Sequence, residues 1–326
     1  MIRKGKKVAI LAGGTSQERV ISLLSAEQLQ RWLSETDYKS YIIDVQGASW
    51  IYTLPDGRNL QVDKNTFSLP LPEGTLPLDM AFITTHGTPG ENGLLQGYLE
   101  LMQIPFTSGE TFTQAISFHK SACKRYLQGV VPLLPSIEIK RFEDLDIEQV
   151  VREIGFPLFL KPNDNGSSVG VVKVHNANEL HKAALSVFEI SSDIMLEKFC
   201  PGTELSCGMI QIGARQLSFP VAEIISLSEF FDFKTKYDGS SQEIVPARIP
   251  LPTAQLVQQY TADAYTRLGC RGMARADYIL YDGVPYFLEI NTCPGLTAES
   301  IIPKQVNALG RTMPELLSEF LDSLRN

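Results

Sequence analysis

The sequence is poor in the residues from which cross-links are built. It has five cysteines and four histidines in 326 residues. There is no CxxC pair and no HExxH, so structural zinc is not expected, and the cysteines read as five reduced thiols. GxxxxGK[ST], the P-loop signature, is absent, and so is GxGxxG. A nucleotide, if one binds, is held by some other device. No apolar run approaches the ~20 residues of a membrane span. The first such run, Val8 to Ala12, is too short for the apolar core of a secretory signal, and a cytoplasmic location is expected. Positive charge is also short: 29 Lys and Arg stand against 37 Asp and Glu, a formal net charge of −8. That excludes a global pull toward nucleic acid or an anionic membrane, so any bound anion must be held by local positive groups.

The remaining composition is that of a globular chain, 44% hydrophobic and 20% charged, long enough for two or three domains. No internal repeat or low-complexity tract interrupts it. Lys7 to Leu11 reads as a buried strand, followed by the turn Gly13-Gly14-Thr15-Ser16. A helix follows, with a stripe at Val20, Leu23, Leu24 and Leu29. Further strands are expected at Ser40 to Val45 and Met80 to Thr85. Strands separated by helices predict a parallel α/β sheet whose sites lie at the strands' carboxyl ends. The Pro- and Gly-rich stretch from Trp50 to Pro77 reads as a hairpin or surface excursion. Beyond it come a helix over Thr111 to Gln128 and an acidic helix near Glu143 to Ile154. Strands are expected at Phe156 to Lys161, Gly170 to Val174 and Ile194 to Phe199, and a closing helix at Pro314 to Leu324.

Several groupings could carry chemistry. Gly166-Ser167-Ser168-Val169-Gly170 follows Lys161; small residues let backbone N–H groups approach phosphate, although a tight hairpin turn has the same composition. Met273 to Leu280 and Pro285 to Thr292 form a strand pair about Asp282-Gly283. Alternation puts Arg275 and Asp277 on one face of the first strand, and Glu289 and Asn291 on one face of the second. These oxygen donors suit Mg²⁺, but acids on a solvent-facing strand pair give the same pattern. A two-residue turn would pair Asp277 with Leu288 and send Glu289 to the far face. A three-residue loop, Tyr281 to Gly283, restores the common face, with Asp277 and Glu289 diagonal and roughly 7–8 Å apart. The metal reading therefore demands the longer loop. Gly295 follows Pro294 in a turn whose N–H, with a nearby arginine, has the form of an oxyanion site; a plain strand-ending turn is the alternative. Phe231 to Ser241 mixes aromatics, lysines and turn formers, as a lid or a plain surface loop would.

Taken in order, these pieces resemble the D-alanine–D-alanine ligase family. His86-Gly87-Thr88-Pro89-Gly90-Glu91-Asn92-Gly93 is similar to its HGxxGEDG box, with Asn92 for the usual aspartate. Lys161-Pro162 with Gly166 to Val171 resembles its KP…GSSxGV loop. Lys236-Tyr237 fits its lid, and Glu289-Ile290-Asn291-Thr292 with Pro294-Gly295 and Ser300 fits its ENTxPG…S box. His119 precedes Lys120 where an aspartate is usual. The matching residues run from Gly13 to Pro303.

The resemblance implies a three-domain ATP-grasp fold, α/β with an α+β C-terminal part and an N-terminal parallel-sheet domain. The expected divisions are 1–108, 109–199 and 200–326, with a lid near 228–245. It implies two D-alanines and ATP as substrates, two Mg²⁺ ions (Mn²⁺ can substitute) and a homodimer. Asp277, Glu289 and Asn291 are the implied metal ligands. Lys120, Lys161, Ser168 and Lys236 are implied at the ATP phosphates, Glu197 near the adenine and Glu204 at the ribose. Glu18, Ser167 and Tyr237 form the implied set closing the lid over the first D-alanine, with His86 beside it. Ser300 is expected at the carboxylate of the second D-alanine, and Arg275 and the Gly295 N–H at the oxyanion. The implied activity is dipeptide formation through an acyl phosphate, for peptidoglycan precursor synthesis. A D-lactate or D-serine acceptor and a non-catalytic nucleotide-binding module are the rival readings; Tyr237, where ester makers carry histidine, favours an amine. Cys293, beside the oxyanion turn, is a candidate for thiol modification that blocks activity, or an inert filler.

Overall fold

A computed structural model describes residues 5–166, 169–226 and 241–324. Among the described residues three large sheets follow one another along the chain, and Ser68–Leu71 pairs with Gly74–Pro77 in a fourth of two strands, a hairpin within the 50–77 stretch. In the first, the order is Asn59–Gln61, Ser49–Thr53, Lys39–Gln46, Lys7–Gly13, Met80–Ile83. The last three of these strands run parallel and the first two are added antiparallel. Val8 to Ala12 are wholly buried, as a central parallel strand covered on both faces requires.

The helix Arg19–Ser34 lies on this sheet by only half of the expected stripe, with Leu29 buried and Leu23 packed against the core. Val20 and Leu24 are 65% and 47% exposed, while Ser22, Ser25, Ala26, Leu29 and Leu33 are buried. Small residues bring the helix close. The Ser22 hydroxyl accepts from the Gly13 N–H at 2.8 Å and donates to the Thr84 carbonyl at 2.8 Å, pinning the helix start to two strand ends. Nor is the 50–77 stretch merely a surface excursion. Trp50, Val62, Phe67 and Leu69 from it are buried against the other face of the sheet, with Leu95 and Leu99.

The expected helix over Thr111 to Gln128 is two helices, Thr111–Phe118 and Lys120–Tyr126, broken at His119 with ψ of 102°. The second sheet runs Val172–Val174, Leu158–Pro162, Ile194–Lys198, Ser136–Ile139, all antiparallel. Its helices, Ile147–Glu153 and Ala177–Phe188, enclose a core of its own. The third sheet runs Ser241–Ile244, Ala222–Ser226, Thr203–Ile212, Met273–Tyr281, Val284–Asn291, with Arg215–Ser218 paired on Thr203–Ile212. Helix Leu251–Leu268 packs on it through Val257, Tyr265 and Leu268. Helices Ile301–Ala308 and Met313–Ser323 fill the space between the first and third sheets, so Val8, Ile10, Leu29, Ile210, Val306 and Phe320 share one core. The Tyr38 hydroxyl adds a 2.8 Å bond to Asp322 across that seam. Among the described residues, no helix is long and apolar enough to cross a membrane.

Candidate active site

The Met273–Tyr281 and Val284–Asn291 strands set the site's chemistry, and their register is not the one expected. Tyr281 pairs with Val284, so the turn is the tight two-residue Asp282-Gly283. Both turn residues have positive φ, 49° and 77°, as a right-twisted hairpin demands. On an unbroken ladder Glu289 would face away from Asp277. Instead the ladder slips between Asp277 and Tyr278. Tyr278 opposes Phe287, Asp277 opposes Glu289 and Arg275 opposes Asn291. Leu288 is the extra residue of a β-bulge, and Leu288 and Glu289 both line the same cavity. The longer loop is thus corrected to a bulge, and the two acids are direct rather than diagonal partners.

Arg275 donates to both Asp277 oxygens, at 3.0 and 2.9 Å, and the buried Ser206 hydroxyl donates to Oδ1 at 2.6 Å. The Lys120 ammonium lies 3.4 Å from Glu289 and donates to the Asn165 carbonyl at 2.6 Å. Asp277, Glu289 and Asn291 offer only oxygen donors, and those acids already face cations. A hard divalent ion fits that set.

The cavity holds about 740 Å³. Twelve of the sequence-predicted residues line it: Glu18, His86, Lys120, Lys161, Glu197, Glu204, Arg275, Asp277, Glu289, Asn291, Gly295 and Ser300. Leu134, Phe159, Ile279 and Leu288 add apolar wall. Ser167, Ser168, Lys236 and Tyr237 lie outside the described residues, as do residues 228–240 of the lid expected near 228–245; within the remainder, Ser241–Ile244 is strand.

Lys161 lies 2.6 Å from one Glu197 oxygen, and Lys124 lies 2.5 Å from the other. Burial, the largest influence, would lower the Lys161 ammonium, but Glu197, Glu289 and Glu204 together offset it and hold the group above its ordinary value. Burial would likewise raise the Glu197 carboxyl; the two lysines hold it below the usual range. Lys124 was not singled out from the sequence. Its spacing of four from Lys120, one helical turn on, is the signal that could have found it.

Elsewhere in the lining, Glu18 precedes the first helix without capping it. A Cβ on Gly166 would come within 2.4 Å of a Glu18 carboxylate oxygen, so glycine permits the loop to approach. Glu91, given no role from the sequence, is buried and accepts from the Gly87 N–H at 2.7 Å. Burial, with Glu18 nearby, raises its carboxyl to about 8. Burial lowers the His86 imidazole, which Glu18 only partly offsets. The Ser300 hydroxyl accepts from the Thr297 N–H at 3.0 Å and sits 3.0 Å from where a Gly295 Cβ would stand. The expected oxyanion and acceptor positions are therefore adjacent.

Residues 7–109 match the family description "D-ala D-ala ligase N-terminus", and residues 131–322 match "D-ala D-ala ligase C-terminus". The D-alanine--D-alanine ligase of Phocaeicola vulgatus is 41% identical over 320 residues, 98% of this chain and 99% of that one. The chain belongs to the D-alanine–D-alanine ligase family. Its fold matches the D-alanyl-alanine synthetase A of Vibrio cholerae at TM-score 0.88 and 25% identity, covering 99% of both chains. It matches the ATP complex of the Bacillus anthracis D-alanine--D-alanine ligase at TM-score 0.77 and 29% identity, covering 98% and 97%. The ATP-grasp fold expected from the motifs is thus confirmed, and the chain is a ligase by family.

Its departures from the family's motifs have local explanations. His119 Nδ1 accepts from the Ala122 N–H at 3.3 Å, the capping contact an aspartate would make. That leaves the proton on Nε2, 3.0 Å from Asp193. His119, Glu138 and Asp193 cluster as metal ligands could. With Nε2 protonated and Glu138 paired to Arg125, the cluster is already satisfied. Asn92 donates to the Thr88 hydroxyl at 3.1 Å, which an aspartate cannot do. Cys293 is 4% exposed in the apolar core, and burial holds its thiol well above the usual range. That is the environment of a filler rather than of a reactive thiol.

Proposed function

We propose that this protein joins two D-alanines into D-alanyl-D-alanine at the expense of ATP, supplying a peptidoglycan precursor. The observation that carries this reading is the bulged strand pair. It sets Arg275, Asp277, Glu289 and Asn291 on one face of a cavity that also holds Lys120, Lys161 and Gly295. A carboxylate is a poor electrophile and must be activated. An oxygen of the first D-alanine attacks the γ-phosphorus, the bond to ADP breaks and an acyl phosphate forms. The amine of the second then attacks the acyl carbon, sheds a proton, and phosphate departs with the C–O pair.

Lys120 and Lys161 bind the phosphates. Glu204 takes the ribose hydroxyls, and the apolar wall of Phe159, Ile279 and Leu288 takes the base. Mg²⁺, or Mn²⁺ in its place, held by Asp277, Glu289 and Asn291, would neutralise phosphoryl charge. Arg275 and the Gly295 N–H stabilise the tetrahedral oxyanion. Ser300 holds the second carboxylate, and Glu18 and His86 face the first D-alanine. Ser167, Ser168, Lys236 and Tyr237 close over the substrates and exclude water from the acyl phosphate. The divisions 1–108, 109–199 and 200–326, a homodimer and a cytoplasmic location complete the proposal.

The test is a coupled assay with ATP, Mg²⁺ and a panel of D- and L-amino acids. One phosphate per dipeptide is expected with D-alanine, and none with L-alanine. Preferred ester formation with D-lactate at neutral pH would overturn the acceptor. No turnover with any acid would favour a binding module.

A further inference from the structure

Lys124 does not line the cavity; its side chain is 4% exposed. It nevertheless touches the two sheets on which the site depends. Its Nζ lies 2.5 Å from Glu197 Oε1 on the second sheet and donates to the Phe287 carbonyl at 3.0 Å on the third. Phe287 immediately precedes the bulge residue Leu288, two residues before Glu289. Lys124 also shares its short helix with Lys120, which reaches Glu289 and the Asn165 carbonyl. One buried cation thus joins the helix of one phosphate lysine, the acid that holds the other and the strand that carries two of the three proposed metal ligands, Glu289 and Asn291.

We propose that Lys124 is a positioning residue for the nucleotide: by occupying Glu197, it leaves Lys161 a net positive charge for the phosphates. The charge count is simple. Glu197 between Lys124 and Lys161 leaves the triad at +1. Without Lys124, the Glu197–Lys161 pair is neutral, and the phosphates face no surplus charge from this triad, with Lys120 left as the other phosphate lysine. Glu197 then serves as the anchor of Lys161 rather than as a contact to the base. The geometry agrees, since each Glu197 oxygen has its own lysine and the side chain is 1% exposed. Leaving a buried carboxylate with one partner instead of two also draws Lys161 further toward it. The Phe287 bond adds a second effect, because losing it frees the carbonyl beside the bulge that aims Glu289.

This inference rests on the nucleotide reading above, and the experiment separates the two. The full-length protein is titrated calorimetrically with the magnesium complex of a non-hydrolysable ATP analogue. If the wild type does not bind it, the nucleotide reading fails, whatever Lys124 does. If it binds, Lys124→Met is expected to weaken the analogue roughly ten- to a hundredfold, the scale of one charge-assisted contact, with the D-alanine KM unchanged. Adding Glu197→Gln to that variant removes the acid that now ties up Lys161, and most of the affinity returns. A folded Lys124→Met with wild-type affinity overturns the proposal. So does a loss that Glu197→Gln leaves uncorrected, which marks a packing defect. Should Lys124→Met not fold, Lys124→Gln carries the same test, since it drops the charge but keeps a donor for Phe287.

Discussion

Two stretches of the cavity wall handle buried charge in opposite ways. On one, each acid has a cation: Arg275 on Asp277, Lys120 by Glu289, Lys124 and Lys161 on Glu197. On the other, Glu91 and His86 are buried with little compensation, and burial pushes both toward their neutral forms. The physical rule is shared: burial disfavours charge unless a partner supplies it. What differs is the ligand each wall suits. A preset array of paired charges can trade partners with a metal–polyphosphate complex without building up net charge. A small zwitterionic amino acid can meet a single acid, Glu18, with its ammonium, while Glu91 and His86, held toward their neutral forms, add no competing charge.

The largest expected effect breaks the paired wall. Asp277→Asn keeps the side-chain shape and an oxygen to accept from Ser206, but removes the charge that pairs with Arg275 and that the proposed function assigns to a metal ion. Turnover in the coupled phosphate assay should fall on the order of a hundred- to a thousandfold, and the folded variant should melt a few degrees lower because Arg275 loses its charged partner. Undiminished turnover would mean that the bulged strand pair is not the catalytic surface.

The neutral wall is tested by a smaller effect, on stability. The Glu91 carboxyl rises from 4.5 to about 8 on folding. Between those values the folded state keeps a proton that the unfolded chain has released. Stability therefore falls as pH climbs from 4.5 toward 8, and levels off above. Glu91→Gln has nothing to titrate and retains an acceptor for the Gly87 N–H. Melting temperatures should nearly coincide at pH 5. At pH 8 the variant should melt a few degrees higher. A gap independent of pH would show that Glu91 is charged in the folded protein.

How far the sequence could be read follows the same division. Period-2 alternation revealed that Arg275 and Asp277 share a face, as do Glu289 and Asn291, because those pairs are local to one strand. It did not reveal how the strands meet. The bulge at Leu288 has no side-chain signature, so the requirement that the two acids share a face demanded a longer loop in place of the Asp282-Gly283 turn that is present. The helix stripe failed at Val20 and Leu24 because the first helix docks through serines, whose small size and hydroxyl bonds hydropathy does not register. The break at His119 was hidden for a similar reason, since a capping imidazole looks like any other helix residue. Lys124 was missed because its partners lie 73 and 163 positions away along the chain.

Thiol chemistry distinguishes the two walls at the least cost to the protein. Cys200 is half-buried in the cavity wall; Cys123, Cys207, Cys270 and Cys293 are buried. Native protein should therefore show one alkylatable thiol, at Cys200, with Cys293 reacting only after unfolding. Cys200 adjoins Phe199 and the Glu197 strand, on the side assigned to the nucleotide. The ATP analogue should slow its alkylation several-fold by covering it, whereas D-alanine alone should leave the rate unchanged. Peptide mapping by mass spectrometry, with and without each ligand, reads both effects. Equal protection by D-alanine would place the amino acid against the paired-charge wall and undo the assignment of the two ligands to two surfaces.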